Sequence, residues 1–165
     1  MMASILTSLI LAGLEPGTAA PDVSAPNQEG QLVRLSSFKG RPVLLFFYPK
    51  DDTPGCTRQA CTLRDAYTRY QKQGIVILGV SRQDPASHKA FIEKHKLPFD
   101  LLADEDGSFA KAFGVRSVPL FGWFLRQSVL LDADHKVVKF FDDVDPGAHA
   151  EEVLAVAAGA KAQPR

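Results

Sequence analysis

The sequence predicts a single α/β domain in which a central mixed β-sheet is flanked by helices. Apolar, strand-like runs alternate with helical patterns, and the last two strand-like runs form a hairpin that a further helix follows. This order is typical of a mixed sheet with helices on both faces. With 165 residues, of which 45% are hydrophobic, the chain is long enough to bury one full core.

The elements of the first half follow from the spacing of apolar residues. Residues 31–35 alternate as an edge strand does, and residues 43–48 form an apolar run typical of a buried strand. A helix is expected from residue 54 to about residue 73, and residues 75–80 form a second buried strand. The helix is expected to bury side chains three and four residues apart, namely Cys56, Ala60, Leu63, Tyr67 and Tyr70.

The second half begins with a helix at Asp84-Pro85 that ends before Leu97-Pro98. Proline suits the first turn of a helix and disfavours the helical conformation in the residue before it. The remaining elements are, in chain order, an extended piece at 101–102, a short helix at 107–113, an extended piece at 121–124, a hairpin of 128–132 with 136–141, and a final helix that opens at Asp145-Pro146.

The composition argues against several classes of function. Lysine plus arginine and aspartate plus glutamate number 19 each, and no basic block occurs, so a nucleic-acid partner is not expected. The two cysteines are too few for a disulfide scaffold, and redox chemistry explains them better. The four histidines show no metal-ligand spacing with one another or with the cysteines, so we expect no metal and no cofactor.

Residues 1–14 form an apolar extension ahead of a single domain at residues 15–165. Their apolar side chains fall near one helical face, so we expect a short helix docked on the body or on a second copy, with a leader segment as the alternative. No lysine or arginine precedes Arg34, so the charged start of a signal peptide is missing. The run is also shorter than the ~20 residues of a membrane span. We therefore expect no membrane partner and a cytoplasmic location.

Both cysteines lie in the segment that follows the first buried strand. Thr53 is expected at the N-cap of the next helix, Pro54 at its first position and Cys56 at its third. A thiol there lies against unpaired backbone N–H groups and the positive end of the helix dipole, both of which favour the thiolate. The position of Cys56 is therefore suited to thiol chemistry.

The same segment resembles a known family. Pro49-x-x-x-Thr53-x-x-Cys56 matches the active-site motif of the peroxiredoxins. The run from Tyr48 to Thr57, followed by Ala60-Cys61 and Arg64-Asp65, resembles their Q, or bacterioferritin-comigratory, subfamily. The similarity covers roughly residues 15–154, and it implies a thioredoxin-like fold, which the order of elements fits.

The resemblance implies roles for four residues in the first chemical step. Cys56 would be the peroxidatic thiolate that attacks the O–O bond and becomes a sulfenic acid. Thr53 would hydrogen-bond the thiolate or the peroxide oxygen, Arg126 would stabilise the thiolate and the leaving oxygen, and Pro49 would shape the pocket. Plainer alternatives are a helix cap for Thr53, a solvated surface charge for Arg126 and strand termination for Pro49.

The resemblance also implies that Cys61 is the resolving thiol, which would form an intramolecular disulfide with Cys56. An inert helical residue is the alternative. Five residues along a regular helix place two Cα atoms roughly 8.7 Å apart, beyond the ~7 Å limit for a disulfide. The first turns must therefore unwind before the bond forms, and Gly55 makes this easier than alanine would.

The predicted function is a thiol-dependent peroxidase that reduces hydrogen peroxide and organic hydroperoxides and is recycled by thioredoxin or a similar dithiol. The alternatives are a thioredoxin-like disulfide oxidoreductase, which the missing Cys-x-x-Cys pair disfavours, and a thiol redox sensor. We expect a monomer, with a weak dimer through residues 1–14 as the alternative.

Other residues near this segment are expected to have structural roles only. Asp51-Asp52 is interpreted as a pair that caps the loop, and residues 116–119 are expected to form a loop. Four aromatic residues are expected in the core or the pocket wall, namely Phe46, Phe47, Trp123 and Phe124.

Overall fold

The computed structural model describes residues 13–162, so the helix predicted at residues 1–14 lies almost wholly outside the described residues. The strands are β1 (Ser24–Pro26), β2 (Leu32–Arg34), β3 (Val43–Phe47), β4 (Val76–Ser81), β5 (Asp100–Ala103), β6 (Gln127–Leu131) and β7 (Val137–Phe141). The helices are α1 (Pro54–Asp65), α2 (Tyr67–Lys72), α3 (Pro85–His95), α4 (Ser108–Ala112) and α5 (His149–Ala162). A 3₁₀ helix at Leu35–Phe38 joins β2 to β3.

β3 lies at the centre of a five-stranded sheet with the strand order β5-β4-β3-β6-β7. It runs parallel to β4 and antiparallel to β6, so the sheet is mixed, as predicted. All five of its residues are buried, which explains their continuous apolar run. The register pairs Phe47 with Val80 and with Gln127, so the ends of β3 and β4 meet the start of β6 at one edge of the sheet.

Helices cover both faces of this sheet. One face packs against α1, α2, α3 and α5 through a core that includes Leu63, Phe91 and Val153. The other face packs against α4 and the 3₁₀ helix through a second core that includes Leu35 and Phe109. Within residues 13–162, no helix has both the length and the apolar character that spanning a membrane requires. The predicted fold class is confirmed.

The edge strand expected at residues 31–35 does not join the main sheet. β2 instead pairs antiparallel with β1 in a separate two-stranded sheet, in which Ala25 lies opposite Val33. The alternation that suggested a strand is real, but it cannot specify which partner the strand finds.

Two helix predictions also need correction. The helix expected over residues 54–73 is divided into α1 and α2 at Ala66, whose φ of −90° and ψ of 0° end the regular helix, although alanine is a strong helix former. The last helix begins at His149 rather than at Asp145. The Asp145 carboxylate accepts a hydrogen bond of 2.8 Å from the N–H of Gly147 and closes a turn ahead of the helix. Backbone hydrogen bonds of this kind lower the pKa of Asp145.

The loop between α4 and β6 differs from the prediction for its aromatic residues. Residues 121–124 form no strand, and Phe124 makes only an isolated bridge with Ser117. Trp123, expected in the core or the pocket wall, is 41% exposed. Leu120 and Gly122 have positive φ, so the chain turns twice within this loop, and Leu120 lies fully exposed.

Candidate active site

Cys56 lies in the first turn of α1, shortly after the end of β3. Thr53 has the extended backbone of an N-cap residue, Pro54 is the first helical residue and Cys56 is the third, as predicted. The Thr57 N–H donates to the Thr53 carbonyl at 2.8 Å, which closes the first turn. Cys56 is only 2% exposed, so its sulfur lies at the positive end of α1 and largely out of water.

Arg126 reaches this sulfur because β6 pairs antiparallel with β3. The register sets Gln127 opposite Phe47, so Arg126 lies just beyond the end of β3. Its Nη2 is 3.4 Å from Cys56 Sγ, and its Nη1 donates a hydrogen bond of 2.8 Å to Gln59 Oε1. A guanidinium held in this way stabilises negative charge on the sulfur.

Gly55 leaves room for this guanidinium. A Cβ atom at residue 55 would lie 2.9 Å from Arg126 Nη2, closer than real Cβ contacts come. A side chain here would therefore displace Arg126 from Cys56. Room for Arg126 is thus a reason for glycine at this position besides the predicted ease of unwinding.

The Thr53 hydroxyl makes a different hydrogen bond from those predicted. Its Oγ1 donates to the Lys50 carbonyl at 2.8 Å, so Thr53 holds the predicted N-cap position but its side chain makes no capping bond to α1. In this conformation the hydroxyl proton is directed to Lys50 rather than to Cys56. Pro49 is half-buried, and its carbonyl accepts a hydrogen bond of 3.4 Å from Gln83 Nε2.

Cys61 is half-buried and lies about one and a half turns further along α1. Both cysteines are free thiols, and α1 is continuous from Pro54 to Asp65. Regular helix geometry keeps the two Cα atoms roughly 8.7 Å apart, which is too far for a disulfide. The structure therefore corresponds to the reduced protein.

Asp51 does not cap the loop as predicted. It is buried, and its carboxylate accepts hydrogen bonds from Tyr48, Ser87 and His88, whereas the neighbouring Asp52 is exposed. We call Tyr48, Asp51, Ser87 and His88 the aspartate cluster. A signal for it was present in the sequence, because these residues follow two parallel strands whose carboxyl ends meet at the same edge of the sheet.

The half-buried Arg126 bonds to the buried Gln59 and its charge acts on the buried His149, and the buried Ser128 follows two residues later in β6. We call Gln59, Arg126, Ser128 and His149 the arginine cluster. Among residues 13–162, Gln59 Nε2, Ser128 Oγ and both ring nitrogens of His149 have no hydrogen-bond partner. The His149 ring packs edge-on against Phe141, with centroids 5.1 Å apart. Burial and the positive charge of Arg126 lower the pKa of His149 to about 4, so the ring is neutral at pH 7.

Comparisons with known proteins identify the family. The model of the AhpC/TSA family matches residues 16–140, which include Cys56, Cys61 and Arg126. The chain belongs to the AhpC/TSA family. It is similar to chloroplastic peroxiredoxin Q of Triticum aestivum, with 43% identity over 152 residues that cover 91% of this chain and 70% of the relative. Chloroplastic peroxiredoxin Q of Arabidopsis thaliana is 44% identical over 153 residues, which cover 92% and 70%.

Solved structures of the same kind superpose closely on this peroxiredoxin fold. The peroxidoxin BcpB of Mycobacterium tuberculosis has a TM-score of 0.81 and 32% identity, covering 88% of this chain and 97% of that one. A cysteine-to-serine variant of PrxQ from Xylella fastidiosa has a TM-score of 0.83 and 26% identity, covering 92% and 99%. The bacterioferritin comigratory protein of Xanthomonas campestris, studied for its alkyl peroxide reduction, has a TM-score of 0.80 and 28% identity, covering 88% and 99%.

These findings confirm the resemblance and the thioredoxin-like fold predicted from the sequence. The chain is a peroxiredoxin of the Q, or bacterioferritin-comigratory, type. It is therefore an enzyme, a thiol peroxidase among the oxidoreductases.

Proposed function

We propose that Cys56 is the peroxidatic cysteine and that its substrates are hydrogen peroxide and organic hydroperoxides. The thiolate attacks one peroxide oxygen, the O–O bond breaks, and Cys56 becomes a sulfenic acid. The other oxygen takes a proton and leaves as water or an alcohol. The observation that carries this proposal is the distance of 3.4 Å between Arg126 Nη2 and Cys56 Sγ at a nearly dry helix start.

Arg126, Thr53 and Pro49 would assist this first step in different ways. The guanidinium of Arg126 stabilises the thiolate and then the charge that develops on the leaving oxygen. Thr53 Oγ1 would turn from the Lys50 carbonyl to the incoming peroxide, a rotation about one side-chain bond. Pro49 would keep the pocket wall apolar on the side where β3 ends.

We further propose that Cys61 resolves the sulfenic acid. Its thiolate attacks Cys56 Sγ, and the S–O bond of the sulfenic acid breaks. The oxygen takes a proton and leaves as water, and a disulfide remains within the chain. Because a continuous α1 keeps the two cysteines too far apart, its first turns must unwind for this step. Thioredoxin or a similar dithiol would then reduce the disulfide by thiol exchange, in a cytoplasmic enzyme that works as a monomer.

Serine substitutions of the two cysteines test this assignment. With Cys61→Ser, one equivalent of peroxide should still oxidise Cys56 at the wild-type rate, while steady-state turnover with thioredoxin is lost. Cys56→Ser should abolish the reaction with peroxide. Unchanged turnover in Cys61→Ser would show that another thiol resolves the sulfenic acid, and a disulfide formed without loss of helical signal would contradict the unwinding step.

A further inference from the structure

The Asp51 carboxylate is bound by three side chains from two parts of the fold, the end of β3 and α3. Tyr48 Oη donates to Oδ1 at 2.6 Å, and Ser87 Oγ donates to Oδ2 at 2.8 Å. His88 Nδ1 lies 2.7 Å from the same Oδ2. A buried carboxylate held by three partners resists displacement, because moving it would leave a charge unpaired away from water.

His88 connects this carboxylate to the central sheet. The ring is fully buried, and its Nε2 lies 3.0 Å from the Leu102 carbonyl in β5. A carbonyl only accepts, so Nε2 donates to it, while Nδ1 lies against Asp51 Oδ2 at the opposite end of the ring. The imidazole is therefore a rigid link between Asp51 and β5.

The backbone at Asp51 and just before it is held as well. The Asp51 N–H donates to Gln83 Oε1 at 3.1 Å, and Gln83 Nε2 donates to the Pro49 carbonyl at 3.4 Å. Ser81 Oγ donates to the same Gln83 Oε1 at 2.6 Å, which ties this amide to the end of β4. The upstream part of the active-site loop, residues 49–51, is thus fixed to β4 and α3.

The chain just after Asp51 is held much less. Asp52 has a φ of 59° and is exposed, and within residues 13–162 its carboxylate bonds only to the exposed Lys94 and the half-buried His95. Pro54 is exposed, and Gly55 has no side chain to anchor it. The number of buried polar contacts therefore changes sharply between residues 51 and 52.

We propose that the aspartate cluster anchors the upstream end of the active-site loop and confines the unwinding of α1 to residues after Asp51. Asp51 and His88 are positioning residues, because in the described part of the chain no hydrogen bond joins them to Cys56. They keep the start of α1 where Cys56 meets Arg126, and they provide a fixed point to which the unwound segment returns. This inference rests on the proposed disulfide between Cys56 and Cys61.

The first test is the rate at which one equivalent of hydrogen peroxide oxidises Cys56, measured by quenching with an alkylating agent and mass spectrometry. Asp51→Ala should slow this reaction about 100-fold and Ser87→Ala about tenfold, in line with hydrogen bonds to a buried charged group. Asp52→Asn is the matched control, because asparagine tolerates the left-handed backbone, and its rate should equal that of the wild type. If Ser87→Ala, or a folded Asp51→Ala, reacts at the wild-type rate, the anchor does not exist.

The second test is residue-resolved hydrogen exchange in the reduced and disulfide forms. The Asp51 amide, bonded to Gln83, should stay equally protected in both forms. The Thr57 amide, bonded to the Thr53 carbonyl, should exchange about 100-fold faster once the disulfide forms. Equal acceleration of both amides would overturn the anchor, because Asp51 would then move with the helix. If the wild type forms no disulfide, the proposed resolution by Cys61 fails, while the rate comparison still decides whether Asp51 positions Cys56.

Discussion

The aspartate cluster and the arginine cluster both lie close to the start of α1, and they differ in how their buried polar atoms are paired. Every side-chain polar atom of the aspartate cluster has a partner. In the arginine cluster, four buried atoms have none among residues 13–162. An unpaired buried polar atom costs about 1–3 kcal/mol, so the arginine cluster should stabilise the fold less than the aspartate cluster does. The aspartate cluster holds the backbone, whereas the arginine cluster contains the guanidinium that contacts the reactive sulfur.

The largest effect should come from Arg126 itself. Arg126→Met should slow the oxidation of Cys56 by hydrogen peroxide about 100- to 1,000-fold, as the loss of one preorganised donor does in other enzymes. Arg116→Met is the control, because Arg116 is exposed and bonds to Asp142 at the surface. Stopped-flow measurement of both rates decides whether the contact between Arg126 and the sulfur matters. If Arg126→Met and Arg116→Met react at equal rates, Arg126 does not contribute to the oxidation of Cys56.

His149 should make the protein sensitive to acid. Its pKa is near 6.5 in the unfolded chain and about 4 in the folded one, so the unfolded state binds the extra proton between these values. The free energy of unfolding should therefore fall by about 3 kcal/mol as the pH drops from 6.5 to 4.

In His149→Phe this part of the pH dependence should disappear, while in His95→Phe, which changes a half-buried ring beside Asp52, it should remain. Urea unfolding at several pH values measures the slope. A slope that is the same in His149→Phe and in the wild type would show that the acid sensitivity comes from another group.

Removing one donor from the aspartate cluster should cost more than removing an ordinary hydrogen bond. Tyr48→Phe deletes the donor to the Asp51 carboxylate and should lower the free energy of unfolding by about 1.5–3 kcal/mol. Tyr70→Phe is a matched control, because Tyr70 Oη donates to the neutral carbonyl of Ala150 at 2.9 Å, and it should cost about 1 kcal/mol. Burial and the Asp51 charge raise the pKa of Tyr48, so its hydroxyl stays a donor at alkaline pH. If the two variants lose equal free energy of unfolding, the hydrogen bond to the carboxylate is no stronger than the one to the neutral carbonyl.

The smallest effect should come from the arginine cluster. Ser128→Ala removes a buried hydroxyl that has no partner among residues 13–162, so the free energy of unfolding should stay within about 0.5 kcal/mol of the wild type or rise. Ser81→Ala removes a hydroxyl bonded to Gln83 at 2.6 Å and should lower it by about 1 kcal/mol. Chemical denaturation of both variants measures the two free energies of unfolding. A larger decrease for Ser128→Ala than for Ser81→Ala would show that the Ser128 hydroxyl has a partner.

Local signals predicted the parts of the fold that local physics decides. The apolar run of β3 and the Thr53-Pro54 helix start were visible in the sequence, because burial on both faces and helix initiation each select residue types. The sequence did not predict the partner of β2, because three alternating residues fit any sheet edge. It did not predict the helix break at Ala66 either, because alanine favours a continuous helix.

Site residues were predicted only where a local motif or the resemblance to a known family indicated them. Cys56 follows from the helix start, but the position of Arg126 came from the resemblance, because a register between β3 and β6 cannot be read from an arginine 70 residues away. Asp51 was misassigned because its partners Ser87 and His88 lie more than 35 residues further on. His149 carried no signal in the sequence, because Phe141 and Arg126, the groups shown to act on it, belong to other parts of the fold.

Trp123 is the chain's single tryptophan, and the Nζ of Lys50 lies 5.7 Å from the centroid of its ring. Lys50 belongs to the segment that the aspartate cluster is proposed to hold in place, so its contact with the indole should persist when the disulfide forms. Intrinsic fluorescence should therefore change little between the reduced and disulfide forms, and a large change would report movement of that segment. The molecule carries its own optical reporter and requires no attached dye.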